Sequence, residues 1–422
     1  MKIAFIVDAQ SPIASNWISF LIKHGHEVHI LSTYAGPTPQ TCLGAASHST
    51  FQIGTSTSAP VGQMPASSAV RPALRNRVAS AARDSRLSRP AALGLVSVTA
   101  AKALRMAPAV RARLDAIRPD IVHAMRIPCE GILAAKADAA YPLIVSTWGN
   151  DLTLFARYHP WLGRLTRKTL QRTDALLSDC YRDTRLAARW GFAPIKPSAV
   201  LPGAGGIQTD IFYPATPGHE LMNSFGIDDG TPVVINPRGF RGYVRNDTFF
   251  RSIPLVLERR PNAVFLCAAM AGNATAERWA RDLGIGKAVR LLPRAPRERM
   301  ADFFRLAQVT VSPSTHDGTP NTLLEAMACG CFPVAGDIES VREWITDGVN
   351  GLLFDPADPA ALASAVLRGL DDVTLWEDAQ AINLRLIAER AEYNQVMAQA
   401  EAFYEAMVQT LPRRTHKTGV LV

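Results

Sequence analysis

Between Val309 and Ala335 the chain passes from an apolar strand through a polar loop into a helix, then out into a second apolar strand. Val309 to Val311 is the first strand and Ser312 to Gly318 the loop. Thr319-Pro320 is an N-cap and first-turn pair for a helix running from about Asn321 to Ala328, which Gly330 stops. Cys331 to Ala335 is the second strand. A helix N-terminus at the carboxyl end of a parallel strand attracts anions, because its free N–H groups and dipole point outward. Asp317 precedes this helix and Glu325 lies inside it. Two carboxylates cannot hold a phosphate. They accept hydrogen bonds from sugar and ribose hydroxyls while the helix end takes a diphosphate.

This segment resembles the nucleotide-sugar site of the family-4 glycosyltransferases, retaining enzymes of the GT-B fold. The matching residues are Asp317, seven spacers and Glu325, then Ala326-Met327-Ala328-Cys329-Gly330, Glu343 and Asn350-Gly351-Leu352-Leu353. The family usually carries Glu where this chain has Asp317. Residues 200–214, with Pro202, Gly203, Asp210, Phe212 and Pro214, resemble the family's stretch at the domain junction.

The remainder of the chain reads as two α/β series. Lys2 to Val7 is a strand, Asn16 to His24 a helix and Glu27 to Leu31 a strand. The first loop, Asp8 to Ser15, lacks the glycines that the family often has there. Residues 34–70, rich in Ser, Thr, Ala, Pro and Gly, read as a long loop. Residues 71–117 are helical and basic, either a solvated face or a patch for anionic lipid. Strands at Pro119 to Ala124, Leu143 to Thr147 and Ala175 to Ser178 follow, with a helix from Asp183 to Trp190. The second series has strands at Pro232 to Asn236, Ala263 to Ala268 and Val289 to Leu292, with helices at Thr248 to Arg259, Thr275 to Leu283 and Glu298 to Ala307. Residues 358–371 and about 373–410 are helical, the latter broken.

Alternation in both halves gives an α/β chain of two Rossmann-like domains, which the GT-B resemblance sets facing each other across a cleft. The expected divisions are 1–208, an acceptor-binding domain with an insertion at about 34–117, and 209–388, a nucleotide-sugar-binding domain. Residues 389–410 are expected to form a helix crossing back to the first domain, and 411–422 a loose basic tail.

Composition narrows the partners. The 422 residues carry a net charge of +8 and a pI of about 9.3, which favours anionic ligands or surfaces. Aromatic-basic interleaving is missing, so nucleic acid is not expected. No apolar run approaches the ~20 residues of a membrane span, and MKIAFIVDAQ does not read as a signal peptide. A cytoplasmic protein is expected, peripheral at the inner membrane face if residues 71–117 meet lipid. The six cysteines are scattered, and the spacing of Cys329 and Cys331 suits neither zinc nor redox chemistry. No metal and no cofactor are expected.

The resemblance implies sugar transfer from a nucleotide diphosphate sugar to a sugar, lipid-linked or other hydroxyl acceptor, in glycan, glycolipid or polysaccharide synthesis. Negative charge grows on the departing diphosphate, and fixed cations must stabilise it. The family places an Arg and a Lys after the first strand of the second domain. Arg238 matches the Arg; Arg245, then Arg241, stand nearest to the Lys. The backbone of Gly318, Thr319, Pro320, Asn321, Thr322 and Leu323 is expected to meet sugar and diphosphate. Asp317 is expected to bind a sugar hydroxyl and Glu325 the ribose. Leu292 and Arg294 lie where family members contact the base through backbone groups. On the acceptor side stand His123, Trp148 (where the family often has His) and Asp151, which either contacts an acceptor or caps a helix. Retention at the anomeric carbon by same-face attack is implied. A GT-B epimerase or hydrolase, or an inactive sugar-nucleotide binder, is the alternative.

Overall fold

A computed structural model describes residues 1–54, 88–203 and 205–413. They divide into two compact units. Of the described residues, one unit holds 1–54, 93–203, 205–206 and 394–413, and the other 88–92 and 207–393.

The first unit has seven strands: β1 (Lys2–Val7), β2 (Glu27–Tyr34), β3 (Ser47–Gly54), β4 (Ile121–Ala124), β5 (Leu143–Thr147), β6 (Ala175–Ser178) and β7 (Ser198–Val200). All pairs are parallel, in the order β3-β2-β1-β4-β5-β6-β7. Parallel neighbours need crossovers, supplied by α1 (Pro12–Lys23), α2 (Ser88–Ile117), α3 (Ile132–Ala137), α4 (Pro160–Arg172) and α5 (Tyr181–Arg189). The central strands are buried and mostly apolar because helices cover both faces.

The second unit has six: β8 (Val233–Asn236), β9 (Val264–Cys267), β10 (Val289–Leu291), β11 (Val309–Ser312), β12 (Phe332–Gly336) and β13 (Leu352–Phe354). Its order is β10-β9-β8-β11-β12-β13, again parallel. Its helices are α6 (His219–Phe225), α7 (Asn246–Leu257), α8 (Ala274–Asp282), α9 (Arg297–Leu306), α10 (Asn321–Ala328), α11 (Pro359–Asp371) and α12 (Val373–Arg390). The last helix, α13 (Tyr393–Thr410), packs in the first unit, burying Val396, Met397, Ala400, Tyr404 and Met407. Strand order reverses between β1 and β4 and between β8 and β11. Ligands in such sheets lie beyond the carboxyl ends of strands at these reversals.

Three expectations change. Of the expected loop 34–70, residues 55–70 lie outside the described residues, and the rest is not one loop: Gln40–Cys42 forms a 3₁₀ turn and β3 extends the sheet edge. The Ser and Thr residues that suggested a loop are followed in the same strand by Phe51 and the buried Ile53, and Ser47 Oγ bonds His29 Nδ1 at 2.7 Å. Thr319 does not cap α10; Pro320 stands at the cap position and no side chain bonds there. Of the basic segment, 71–87 lies outside the described residues. α2 buries Ala100, Ala103, Ala107, Val110, Leu114 and Ile117 at helical spacing and turns Lys102 and Arg105 to solvent. Among the described residues no helix is long and apolar enough to cross a membrane.

Gly205 and Gly206 mark the exit from the first unit with φ of 86° and 96°. A Cβ on Gly205 would lie 2.5 Å from Met397 Sδ, so α13 can seat there only against glycine.

Candidate functional site

Two strand ends flank the reversal of the second sheet, and both lead into charged loops. After β8, Asn236 fixes the first loop: its Oδ1 accepts from Arg238 N at 3.0 Å and its Nδ2 donates to Asn246 Oδ1 at 2.9 Å. The loop is braced on the segment after β11. Arg245 N donates to Pro313 O at 2.8 Å, and Thr315 N donates to Tyr243 O at 2.8 Å.

This bracing brings Arg238 to Asp317. Nη1 and Oδ2 are 2.9 Å apart, and each side chain is 14% exposed. The Arg238 guanidinium also lies 5.9 Å from the Tyr243 ring centre. Burial works against its charge, but Asp317 and Tyr243 outweigh that and raise its pKa. Asp317 Oδ1 accepts from Gly318 N at 3.1 Å, and its carbonyl accepts from Ser340 Oγ at 2.8 Å.

Gly318, Thr319 and Pro320 are buried and lead into α10. Asn321 and Thr322 open the helix, while Leu323 is wholly in the core and its N–H donates to Pro320 O at 2.8 Å. Glu325, half-buried, sits one turn along the helix. Burial pushes its carboxyl up to about 7, against the pull of Arg297 and Arg238. Arg297 reaches Gln208 Oε1 at 2.7 Å. Sequence reasoning missed Arg297. Its only signal is its place at the start of α9, straight after the loop that holds Arg294.

Arg241 belongs to the same group. Desolvation and the positive charges of Arg238 and Arg294 hold its pKa down, while Tyr243 raises it. Arg245 does not join them: it forms a two-pronged pair with Asp247, both contacts at 2.8 Å, at the start of α7. Leu292 is buried with its backbone engaged. Its N–H donates to Cys267 O, and its carbonyl accepts from Met270 N and Ala271 N. Arg294 is exposed. Glu343 ends a 3₁₀ turn, and its carbonyl accepts from Arg390 at 3.1 Å.

In the first unit, His123 is fully buried, with Nε2 2.7 Å from Ser146 Oγ and Nδ1 2.7 Å from Tyr404 Oη. Desolvation lowers its pKa to about 3. Both ring nitrogens serve the core and no face meets solvent, so the ring fastens α13 to β4 and offers nothing to a ligand.

Asp151 is also buried. Its Oδ2 accepts from Ile127 N at 2.9 Å and Trp148 N at 3.2 Å, so it joins the loops after β4 and β5. Burial raises its pKa, opposed by Arg126 and these two N–H groups. Arg126 lies 3.5 Å from Asp151 Oδ1 and stacks at 5.2 Å on Trp148 and 5.9 Å on Phe155. Glu130, buried in the π turn Ile127–Gly131, accepts from Thr33 Oγ1 at 2.8 Å. Desolvation pushes it up to about 7, against Arg126 and the Thr33 bond. No sequence signal marks the Arg126 group, whose members come from separate strand ends.

Among the described residues, Asp179, Cys180 and Asp183 bring ligand atoms within 4.8 Å. Arg182 pairs with Asp183 at 2.7 Å and supplies positive charge there.

Residues 11–203 match the family described as "Glycosyl transferase 4-like domain", and residues 233–372 match "Glycosyl transferases group 1". Curated relatives include a D-inositol 3-phosphate glycosyltransferase of Thermobispora bispora, 27% identical over 255 residues, 58% of this chain and 58% of the relative. Another, from Acidothermus cellulolyticus, is 40% identical over 209 residues, 47% of this chain and 46% of the relative. The chain spans about half the length of the curated relatives it matches. Among solved structures, sucrose-phosphate synthase from Thermosynechococcus elongatus aligns with a TM-score of 0.72 at 14% identity, over 97% of this chain and 100% of that one. HepE of Anabaena in complex with UDP-glucose aligns with a TM-score of 0.68 at 14% identity, over 96% and 100%. At these identities the likeness establishes the fold, two Rossmann-like domains of the GT-B type.

Proposed function

Because the chain belongs to the group 1 glycosyltransferases, with a 4-like first domain and the GT-B fold, we propose that it moves a sugar from a nucleotide diphosphate sugar to an acceptor hydroxyl. The observation that carries this is the meeting of Arg238 and Asp317 beside the uncapped start of α10. A diphosphate at that helix end meets the positive end of the helix dipole and the positive charge of Arg238, Arg241 and Arg294. Asp317 is within reach of a sugar hydroxyl once Arg238 turns to phosphate, and Glu325 serves the ribose. UDP-sugars are the donors to test first, since HepE is described with UDP-glucose.

The transfer we propose retains configuration. The bond from the anomeric carbon to the diphosphate breaks, and its electron pair stays on the phosphate oxygen. The acceptor oxygen attacks from the same face, and its proton passes to the departing phosphate. The arginines stabilise the charge that develops on that phosphate, so no divalent cation is required. The acceptor is a sugar, lipid-linked or other hydroxyl compound of glycan, glycolipid or polysaccharide synthesis.

Donor consumption, measured with and without acceptor and with EDTA, tests the reading. Acceptor-dependent turnover that survives EDTA is expected. Donor lost to water alone would mean a hydrolase. Donor bound but unchanged across a broad acceptor panel would mean a binding protein.

A further inference from the structure

We propose that the first unit recognises an anionic group, phosphate or carboxylate, on the acceptor through Arg126. This rests on the transferase reading for the word acceptor, but not for the anion site itself.

Arg126 has φ 144° and ψ 162°. That backbone region is nearly confined to glycine and strains any other residue. The position therefore keeps a long cationic side chain where glycine would relieve strain. It stands just beyond the carboxyl end of β4, beside the reversal between β1 and β4.

The guanidinium is held but little used. It has five N–H donors. Among the described residues its one acceptor is Asp151 Oδ1, at a long 3.5 Å. Nε has no partner and no contact with solvent. The Arg126 side chain is 32% exposed, whereas Asp151 is fully buried. Asp151 directs its other oxygen to two backbone N–H groups, so its charge is shared with the fold. Glu130, the other carboxyl near Arg126, is close to half neutral at pH 7.

Trp148 and Phe155 flank the cation. Aromatic faces orient a guanidinium without using its donors, which leaves its N–H groups for two anionic oxygens. This also explains Trp148, whose ring cannot transfer a proton: it stacks Arg126.

The bland alternative is that Arg126 only pins Asp151. Arg126→Gly separates the two, because glycine accepts φ 144° and the variant should fold. Binding of inorganic phosphate, D-inositol 3-phosphate, unphosphorylated inositol and UDP is to be measured for the full chain, Arg126→Gly and Arg126→Lys. We expect Arg126→Gly to weaken both phosphate ligands about tenfold or more, with Arg126→Lys between it and the wild type. UDP binding, a property of the second unit, should not move. Equal phosphate affinity in wild type and Arg126→Gly would overturn the proposal. So would a wild type that binds neither phosphate ligand more tightly than inositol. Failure of the wild type to bind UDP would count against the transferase reading alone.

Discussion

Arg238 Nη1 and Asp317 Oδ2 stand 2.9 Å apart, on loops that follow the two strands flanking the reversal of the second sheet. Each residue thus holds the other in place before any donor arrives. Arg238→Ala should lower kcat about 10²–10³-fold with a smaller change in KM, since the lost interaction strengthens as charge develops on the phosphate. Arg238→Lys should recover part. Steady-state kinetics check this; an unchanged kcat would remove Arg238 from the chemistry.

Arg241 and Arg245 should behave differently. Arg241 shares the field of Arg238 and Arg294, while Arg245 is occupied by Asp247. Arg241→Ala is expected to reduce kcat/KM about tenfold or more, and Arg245→Ala by no more than about threefold. A larger loss at Arg245 would show that it leaves Asp247 when donor binds.

Donor affinity should depend on pH through Glu325. Burial raises its carboxyl to about 7, and ribose hydroxyls bind the ionised form. Affinity for UDP should therefore rise between about pH 6 and 8. Glu325→Gln should flatten that profile and weaken binding by about 1.5–3 kcal/mol. Calorimetric titration across this range decides it.

Glu130 makes the opposite kind of pH dependence, in stability. Its pKa is raised from 4.5 to about 7 in the folded chain. Between those values the native state holds more protons than the unfolded one, so stability falls as pH rises through the window. The loss is on the order of 3 kcal/mol by about pH 8. Glu130→Gln keeps an acceptor for Thr33 and should be less sensitive to the change from pH 5 to 8. Urea unfolding of the first unit at both pH values is the measurement.

Tyr404 is 2.7 Å from His123 Nδ1. Tyr404→Phe leaves a buried nitrogen unpartnered and should cost about 1–3 kcal/mol. Tyr404→Ala adds a cavity and should cost about 3–5 kcal/mol. Denaturant midpoints for the two variants test the order; equal losses would mean the hydrogen bond adds nothing.

Local patterns carried most of the fold. α10 spans Asn321–Ala328, and β5 and β6 span Leu143–Thr147 and Ala175–Ser178, the bounds their apolar runs predict. β3 was hidden because an edge strand is half polar, and Ser47, Ser49 and Thr50 resemble a linker. The second-unit site was legible where one segment holds it, from Asp317 to Glu325. Arg238, Arg241 and Arg294 were each legible as candidates, but their meeting was not, because it depends on the loop after β8 being braced against Pro313 and Thr315. The uses of His123 and Asp151 were illegible for a similar reason. A polar residue at a strand end looks the same in sequence whether it faces a ligand or closes a hydrogen-bond network inside the core.

The packing of α13 against β1 and β4 fixes an order of assembly on the ribosome. The described residues of the second unit end at Tyr393, so all of them emerge before the first unit has its last helix. The first unit begins synthesis earlier but must wait with Phe5, Trp17 and His123 uncovered until Tyr404 arrives. The usual progression, in which the leading domain matures first, is reversed for this chain. A nascent chain stalled once Tyr393 has left the ribosome should carry a protease-resistant second unit and a protease-sensitive first unit.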